Sequence, residues 1–283
     1  MQDNEVADFW QVHPCGDQLI GGLLSRYQGD YEAFFAAYDR ARYKLESHIP
    51  ACIDRLDLFD KRVLEIGLGQ GADSEQLIRR GAIWSGLDVT DEAVARVRAR
   101  LTLRDLPFAD LRVGSATAIP AEDGQYDLVF THGVLHHVPD IGGAQREMRR
   151  VLRPDGRLVL MLYARRSLNY QVAIRLVRRA ALLAAWPARR RIATGMLAEH
   201  LANAEREGLA RYLRMDRFIH ASTDGPANPH ARVYNLAEVR RDFPLFEIVG
   251  AHKHYMHAPP LPVHGLPGGG LWGWHLWVEL TPR

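Results

Sequence analysis

Cysteine is nearly absent from the 283-residue chain. Cys15 and Cys52 are the two it holds, too few for a disulfide framework, and a reducing compartment is the default for such usage. Net charge is also slight. Thirty-six Lys and Arg against 34 Asp and Glu leave +2, which gives no global case for nucleic-acid binding. No apolar run reaches membrane-spanning length. The best candidate, 172–186, is interrupted by Arg175, Arg178 and Arg179. The first residues, Met1-Gln2-Asp3-Asn4-Glu5, are polar and acidic rather than a signal peptide. These absences predict a soluble cytoplasmic protein. What is present is a 47% hydrophobic content, enough for a full core, and thirteen histidines.

One stretch organises the rest: Val63-Leu64-Glu65-Ile66-Gly67-Leu68-Gly69-Gln70-Gly71-Ala72-Asp73-Ser74. It reads as a buried strand, a glycine turn and a helix start, with Asp73 or Ser74 as helix cap. Alternate glycines let a ligand approach the backbone. The turn alone leaves the ligand open, since Gly67-x-Gly69-x-x-Ala72 also fits a loose dinucleotide fingerprint.

Around it the pattern alternates. Strands are expected at 63–66, 83–88, 111–113, 126–130 and 157–163, with helices at 73–80, 91–103 and 142–152. The stretch Arg153-Pro154-Asp155-Gly156 is a stop. Such alternation predicts a parallel sheet with helices on both faces. Upstream, 8–16 reads as irregular loop and 31–49 as helix. The latter carries an aromatic stripe, Phe34, Phe35, Tyr38 and Tyr43, that serves either core or lid.

Downstream, 164–191 holds eight arginines and no acid. Helical spacing places Val172, Leu176, Ala180 and Leu183 on one face, a basic amphipathic helix. It suits a solvated cap or dimer contact, an anionic membrane surface, or an anionic substrate. A second helical stretch, 197–213, and a turn-rich segment, 218–230, follow. Extended segments at 246–255 and 273–280 end the chain, joined by a proline-rich link. His252, His254 and His257 alternate, but that spacing without cysteine support is no strong ligand pattern, and no metal is assigned.

Three features bear on the cofactor: Glu65 inside the first strand, Asp88 ending the second, 21 residues after Gly67, and Thr131-His132-Gly133-Val134-Leu135-His136-His137-Val138-Pro139 after the fourth. Together with Leu152-Arg153-Pro154-Asp155-Gly156 before the fifth strand, they resemble the class I S-adenosylmethionine-dependent methyltransferases. The nearest likeness is to the small-molecule branch that includes the quinone-biosynthesis enzymes. The resemblance covers about 60–163.

It implies an α/β, Rossmann-like seven-stranded sheet, mostly parallel, whose last strand is antiparallel. The expected organisation is an N-terminal helical cap or lid (1–59), a cofactor-binding core (60–163), a helical cap insertion (164–243) and a terminal hairpin (244–283). The implied cofactor is S-adenosyl-L-methionine, giving S-adenosyl-L-homocysteine. Glu65, Gly67, Leu68, Gly69 and Gly71 would wrap its methionine end. Asp88 would accept from the ribose hydroxyls and Val89 would pack beside the adenine. Ser115 and Ala116 stand where relatives often carry Asp-Ala, and Thr131 and His132 would line the methyl-transfer face.

The expected reaction is direct displacement onto a small or medium acceptor, on oxygen in preference to nitrogen or carbon. Proton removal falls to one of His132, His136, His137 or His13. The acceptor pocket is expected from Tyr38, Tyr43, His220, Asp224 and Asn228, with 42–50, 223–229 and the proline-rich link meeting above the methyl group. Thr131–Val134 replaces the Asn/Asp-Pro-Pro-aromatic motif of base methyltransferases, so no nucleic-acid partner is expected. The partner is a small-molecule acceptor, with peripheral membrane contact open through the basic helix, in a monomer or homodimer. A non-catalytic partner subunit of the same fold is the alternative.

Overall fold

The computed structural model describes residues 3–14, 24–192 and 194–283. Cys15 and Gly16 lie outside the described residues. Seven strands form one sheet: β1 (Arg62–Ile66), β2 (Ile83–Asp88), β3 (Asp110–Val113), β4 (Tyr126–His132), β5 (Leu152–Tyr163), β6 (Phe246–His254) and β7 (His275–Pro282). Their order is β3-β2-β1-β4-β5-β7-β6. β7 runs antiparallel to both its neighbours, β5 and β6, while the other pairings are parallel. The strand order reverses between the parallel neighbours β1 and β4, so a crevice opens at their carboxyl ends.

Side chains alternate across the pleat, and the sheet therefore has two apolar faces. Leu64, Ile66, Val129, Leu158 and Leu160 pack on one side with α6 (Ile141–Val151). Val63, Leu128, Phe130, Val159 and Met161 pack on the other with α3 (His48–Ile53), α4 (Ala72–Arg79) and α5 (Asp91–Leu103). The run Arg153–Gly156 is an outward bulge rather than a break. Tyr126 faces Leu152 and Leu128 faces Arg157, so four residues stand opposite Asp127.

Several local expectations change. The segment read as loop is helical over α1 (Asp3–Val12). The helix expected over 31–49 divides into α2 (Tyr31–Leu45) and α3. Pro50 lacks the N–H that a continuous helix would bond to the Glu46 carbonyl. α4 begins at Gly71, in the left-handed region at φ 75°, and neither Asp73 nor Ser74 caps it; both are buried in its first turn.

The basic segment 169–178 is a π-helix that continues into α7 (Arg179–Ala185). Its i→i+5 bonding shifts the phase of the faces. Tyr170, Ala173, Ile174 and Leu182 are buried, whereas Leu176 and Leu183, of the apolar face expected from helical spacing, are 60% and 52% exposed. The next stretch forms α8 (Met196–Glu207) and α9 (Leu209–Tyr212), parted by Gly208 at φ 87°. α10 (Met215–Ala221) takes the start of the turn-rich segment and buries Phe218 and Ile219. These helices share a separate apolar cluster that closes on Trp274. α11 (Leu236–Asp242) instead joins the sheet layer through Val239 and Phe243.

α2 is fastened to the core by ion pairs. Arg100, 1% exposed, reaches Asp39 at 2.6 Å and Glu75 at 2.9 Å, and Arg104 contacts both acids. The Arg100 guanidinium also lies 5.1 Å from the Phe35 ring. Phe34 and Phe35 are thus core residues. No helix among the described residues is long and apolar enough to cross a membrane.

Candidate active site

A cavity opens at the carboxyl ends of β1, β2 and β4. Its floor is the glycine turn, where Gly67, Leu68, Gly69 and Gln70 line it. Gly67 sits at φ 80° and its amide donates to the Leu87 carbonyl at 2.8 Å, which ties the turn to β2. At one end stand Asp88, Val89 and Ser115. The other end is walled by Arg42, Asp73 and His132. Val6 and Trp10 of α1 and Tyr38 of α2 also line the cavity. Trp10 meets His137 edge-on, with ring centroids 5.1 Å apart.

The polar wall is tightly coupled. An Arg42 terminal nitrogen donates to Asp73 Oδ2 at 2.7 Å and lies 3.2 Å from His132 Nδ1, which is itself 3.3 Å from Asp73 Oδ2. Burial works most strongly against the charge on Arg42, but Asp73, Tyr38, Glu46 and Tyr43 together outweigh it and hold the guanidinium charged. Burial pushes the His132 imidazole down to about 4; Asp73 resists this and Arg42 adds to it. The ring is therefore neutral near pH 7. Three buried atoms in this wall have no hydrogen-bond partner: Asp73 Oδ1, Arg42 Nε and His132 Nε2. Such atoms are uncommon in a closed interior. An amino-acid zwitterion carries an ammonium and a carboxylate that complement the first two.

Residues 64–160 match the family model described as a methyltransferase domain. That segment is a methyltransferase domain, and its likeness is to the class I S-adenosylmethionine-dependent family. S-adenosylmethionine is the cofactor of that family, and its amino-acid end fits Asp73 Oδ1 and Arg42 Nε, neither of which makes a hydrogen bond.

The chain is 36% identical over 121 residues to a ubiquinone biosynthesis O-methyltransferase of Xanthomonas oryzae, covering 42% of this chain and 50% of that one. To the Pseudomonas aeruginosa protein of the same name it is 33% identical over 122 residues, 43% and 52% of the two chains. It thus spans about half the length of these curated relatives. Among solved structures, an S-adenosylmethionine-dependent methyltransferase of Aquifex aeolicus superposes with a TM-score of 0.53 at 13% identity, covering 90% of this chain and 99% of that one. One from Mesorhizobium loti gives 0.53 at 14% identity, covering 82% and 95%. At such identity these share the fold.

The methyltransferase domain distributes the expected site residues unevenly. Gly67, Leu68, Gly69, Asp88, Val89, Ser115, Ala116 and His132 line the cavity. Glu65, Gly71 and Thr131 do not. Glu65 is buried beneath the turn, accepting from Trp84 Nε1 at 2.8 Å, and burial chiefly, with Asp73 adding, raises its carboxyl to about 8. Gly71 packs against Val97 and Arg100. Thr131 is buried in β4, which runs two residues further than expected.

Asp88 is already engaged. Leu68 N donates to one oxygen at 2.7 Å, and Thr90 N and Thr90 Oγ1 donate to the other at 2.9 Å each. The Gly69 amide adds to this set. A carboxylate has about four lone-pair directions, so a ribose hydroxyl requires the loop to yield one amide.

Among the other histidines, His136 is fully buried, stacks on Tyr163 at 3.7 Å and does not line the cavity. His137 does line it, but both ring nitrogens face protein. Nδ1 is 2.7 Å from the His230 carbonyl oxygen and Nε2 is 3.2 Å from Asp224. His13 is exposed beside Phe9 and does not line the cavity, although the adjacent Pro14 does.

Of the acceptor-pocket set, Tyr38 lines the cavity and Asp224 reaches it through His137. Tyr43 donates instead to the Ala72 carbonyl, and His220 and Asn228 line a different groove, beside α8 and α10. The loop 223–229 meets the segment after β4, with Asp224 Oδ2 at 3.2 Å from His137 Nε2. The proline-rich link does not line the cavity, and its Pro259 carbonyl accepts from Arg178 on the cap. Sequence reasoning missed Asp73 and Arg42 as site residues. Asp73 stood in the legible helix start after the glycine turn, but nothing in the sequence placed Arg42 against it, 31 residues away.

Proposed function

We propose that this chain transfers a methyl group from S-adenosylmethionine to an oxygen of a small or medium-sized acceptor, with His132 as proton acceptor. The observation that carries the reading is His132 Nε2, buried and unpartnered in the cavity wall. Nδ1 stands 3.2 Å from an Arg42 nitrogen and 3.3 Å from Asp73 Oδ2. The proposed base is the tautomer that carries its proton on Nδ1, toward Asp73, and leaves the Nε2 lone pair free. When bound, S-adenosylmethionine supplies an electrophilic methyl group on sulfonium. Arg42 meets the carboxylate of its amino-acid end, and Asp73 Oδ1 meets the ammonium. Asp88 and Ser115 face the nucleoside end, Asp88 by exchanging one loop amide for a ribose hydroxyl. Trp10 and Val6 of α1 roof the cavity and keep water from the reacting atoms. A hydroxyl acceptor must lose a proton as it is methylated, and a neutral imidazole with a free lone pair serves that step. Oxygen is also the acceptor named for the ubiquinone-biosynthesis relatives.

Calorimetry and turnover test this reading. The unaltered chain binds S-adenosylmethionine, and Arg42→Met weakens that binding at least about tenfold, as expected for a buried charge-assisted pair. His132→Gln keeps cofactor affinity within about threefold and lowers methyl incorporation into a small-molecule extract by roughly 10²–10⁴-fold. Absence of cofactor binding overturns the proposal, and full turnover in His132→Gln removes the histidine from it. A lipid-linked acceptor is a second reading, motivated by exposed Leu176 and Leu183 beside Arg175 and Arg179. Failure to sediment with anionic vesicles at low salt removes it.

A further inference from the structure

A second cluster of histidines lies on the far side of the sheet edge. β6 is an edge strand, and its alternation turns His252 and His254 to the same face. α3 packs there and presents Cys52. The Cys52 sulfur and one nitrogen from each histidine lie within 4.8 Å of one another. Cys52 Sγ stands 3.6 Å from His252 Nε2. A tetrahedral zinc ion with Zn–S of about 2.3 Å and Zn–N of about 2.0 Å separates such atoms by roughly 3.5 Å. His254 Nε2 is buried with no hydrogen-bond partner, and its ring stacks on His48 at 5.0 Å. His257 does not join them. The strand ends at His254, Tyr255 turns the backbone to φ 68°, and His257 stacks on Tyr255.

We propose that Cys52, His252 and His254 form a zinc-binding site that ties α3 of the N-terminal cap to the edge strand β6. Two imidazoles and one thiolate suit a borderline-soft divalent ion, with a fourth position left for water. Burial lowers both imidazoles, so both are neutral and ready to coordinate. Burial also pushes the Cys52 thiol up to about 11, so binding displaces its proton. The neighbouring Arg55 charge favours the thiolate. From this cluster a chain of contacts leads to the cavity. His48 shares a hydrogen bond with His275 at 3.2 Å, His275 lies 3.7 Å from Glu46, and Glu46 lies 3.8 Å from Arg42. An ion here therefore orders the helix from which Arg42 enters the cavity.

The test uses the chelator-stripped full chain and Zn²⁺ or Co²⁺ as probe. Equilibrium dialysis is expected to return one Zn²⁺ per chain. Co²⁺ is expected to give a tetrahedral spectrum with a thiolate charge-transfer band that Cys52→Ala abolishes. His252→Gln and His254→Gln each weaken Zn²⁺ at least about tenfold, while His257→Gln leaves it unchanged. If Cys52→Ala does not fold, judged by its thermal melt, His252→Gln on the half-buried strand face decides. No stoichiometric uptake by the unaltered chain overturns the site. So does a Co²⁺ complex without the thiolate band, or Zn²⁺ affinity unaltered in the folded variants; Cys52 is then a thiol bonded to His252.

Discussion

Gly67→Ala is the substitution on which the glycine turn can be tested most sharply. The residue sits at φ 80°, a conformation that costs a residue with a Cβ roughly 1–2 kcal/mol. The added methyl also collides with Val134. It stands inside contact distance of Cγ2, with Cγ1 at 3.0 Å and Cβ at 3.1 Å. Val134 is β-branched and stiff about χ1, so it cannot swing aside freely. Overpacking of this kind typically costs about 1–3 kcal/mol. The expected loss is therefore about 2–5 kcal/mol. At about 2–4 °C per kcal/mol for large domains, the melting temperature falls by roughly 4–20 °C. Val134 lines the cavity, so moving it also narrows the space for the cofactor. The decisive assay is a double-mutant cycle read by thermal and urea unfolding, with cofactor calorimetry alongside. Val134→Ala in the Gly67→Ala background should restore the steric part, about 1–3 kcal/mol, and leave the backbone part. A coupling below about 0.5 kcal/mol, the usual limit of additivity, would refute the collision. A Gly67→Ala protein that melts within a degree of the parent would refute both terms.

Two further outcomes follow from buried charge. The Glu65 carboxyl is raised to about 8 in the fold, above its ordinary 4.5. The folded state then holds a proton that the unfolded chain releases, so stability is full below about 4.5 and declines as pH rises toward 8. The slope reaches at most about 1.4 kcal/mol per pH unit. Glu65→Gln should flatten denaturation midpoints across that window; an unchanged profile refutes the shift. Arg100→Met removes the shared partner of Asp39 and Glu75. Breaking a buried pair costs about 3–5 kcal/mol, toward the lower end here because Arg104 still contacts both acids. Limited proteolysis should cut first near α2, and a cut pattern identical to the parent would count against its anchoring role.

Local chemistry accounts for much of what the sequence made legible. β2 and α5 carry their own boundaries: an apolar run ending at Asp88, then Thr90 as a cap whose hydroxyl accepts from Ala93 N. The turn from Gly67 to Gly71 was legible because alternate backbone positions need positive φ. α1 was not. Its residues Asp8 to Val12 are mostly weak helix formers, and the helix packs through Val6 and Trp10 on a cavity wall built far away in the sequence. The residues that 169–185 buries differ from the apolar face read at helical spacing, because a 3.6-residue period does not describe a π-helix.

By itself, then, the sequence determined the alternating strands and helices, the glycine turn and the acid at the end of β2, since each depends on neighbours a few residues apart. The tertiary structure decided which charged groups meet. Arg42 and Asp73 are 31 residues apart, and Arg42 and His132 are 90 apart. Cys52 and His252 are separated by 200. No local pattern encodes those distances; they follow from the strand order, which brings the ends of β1 and β4 under α2 and lays β6 beside α3.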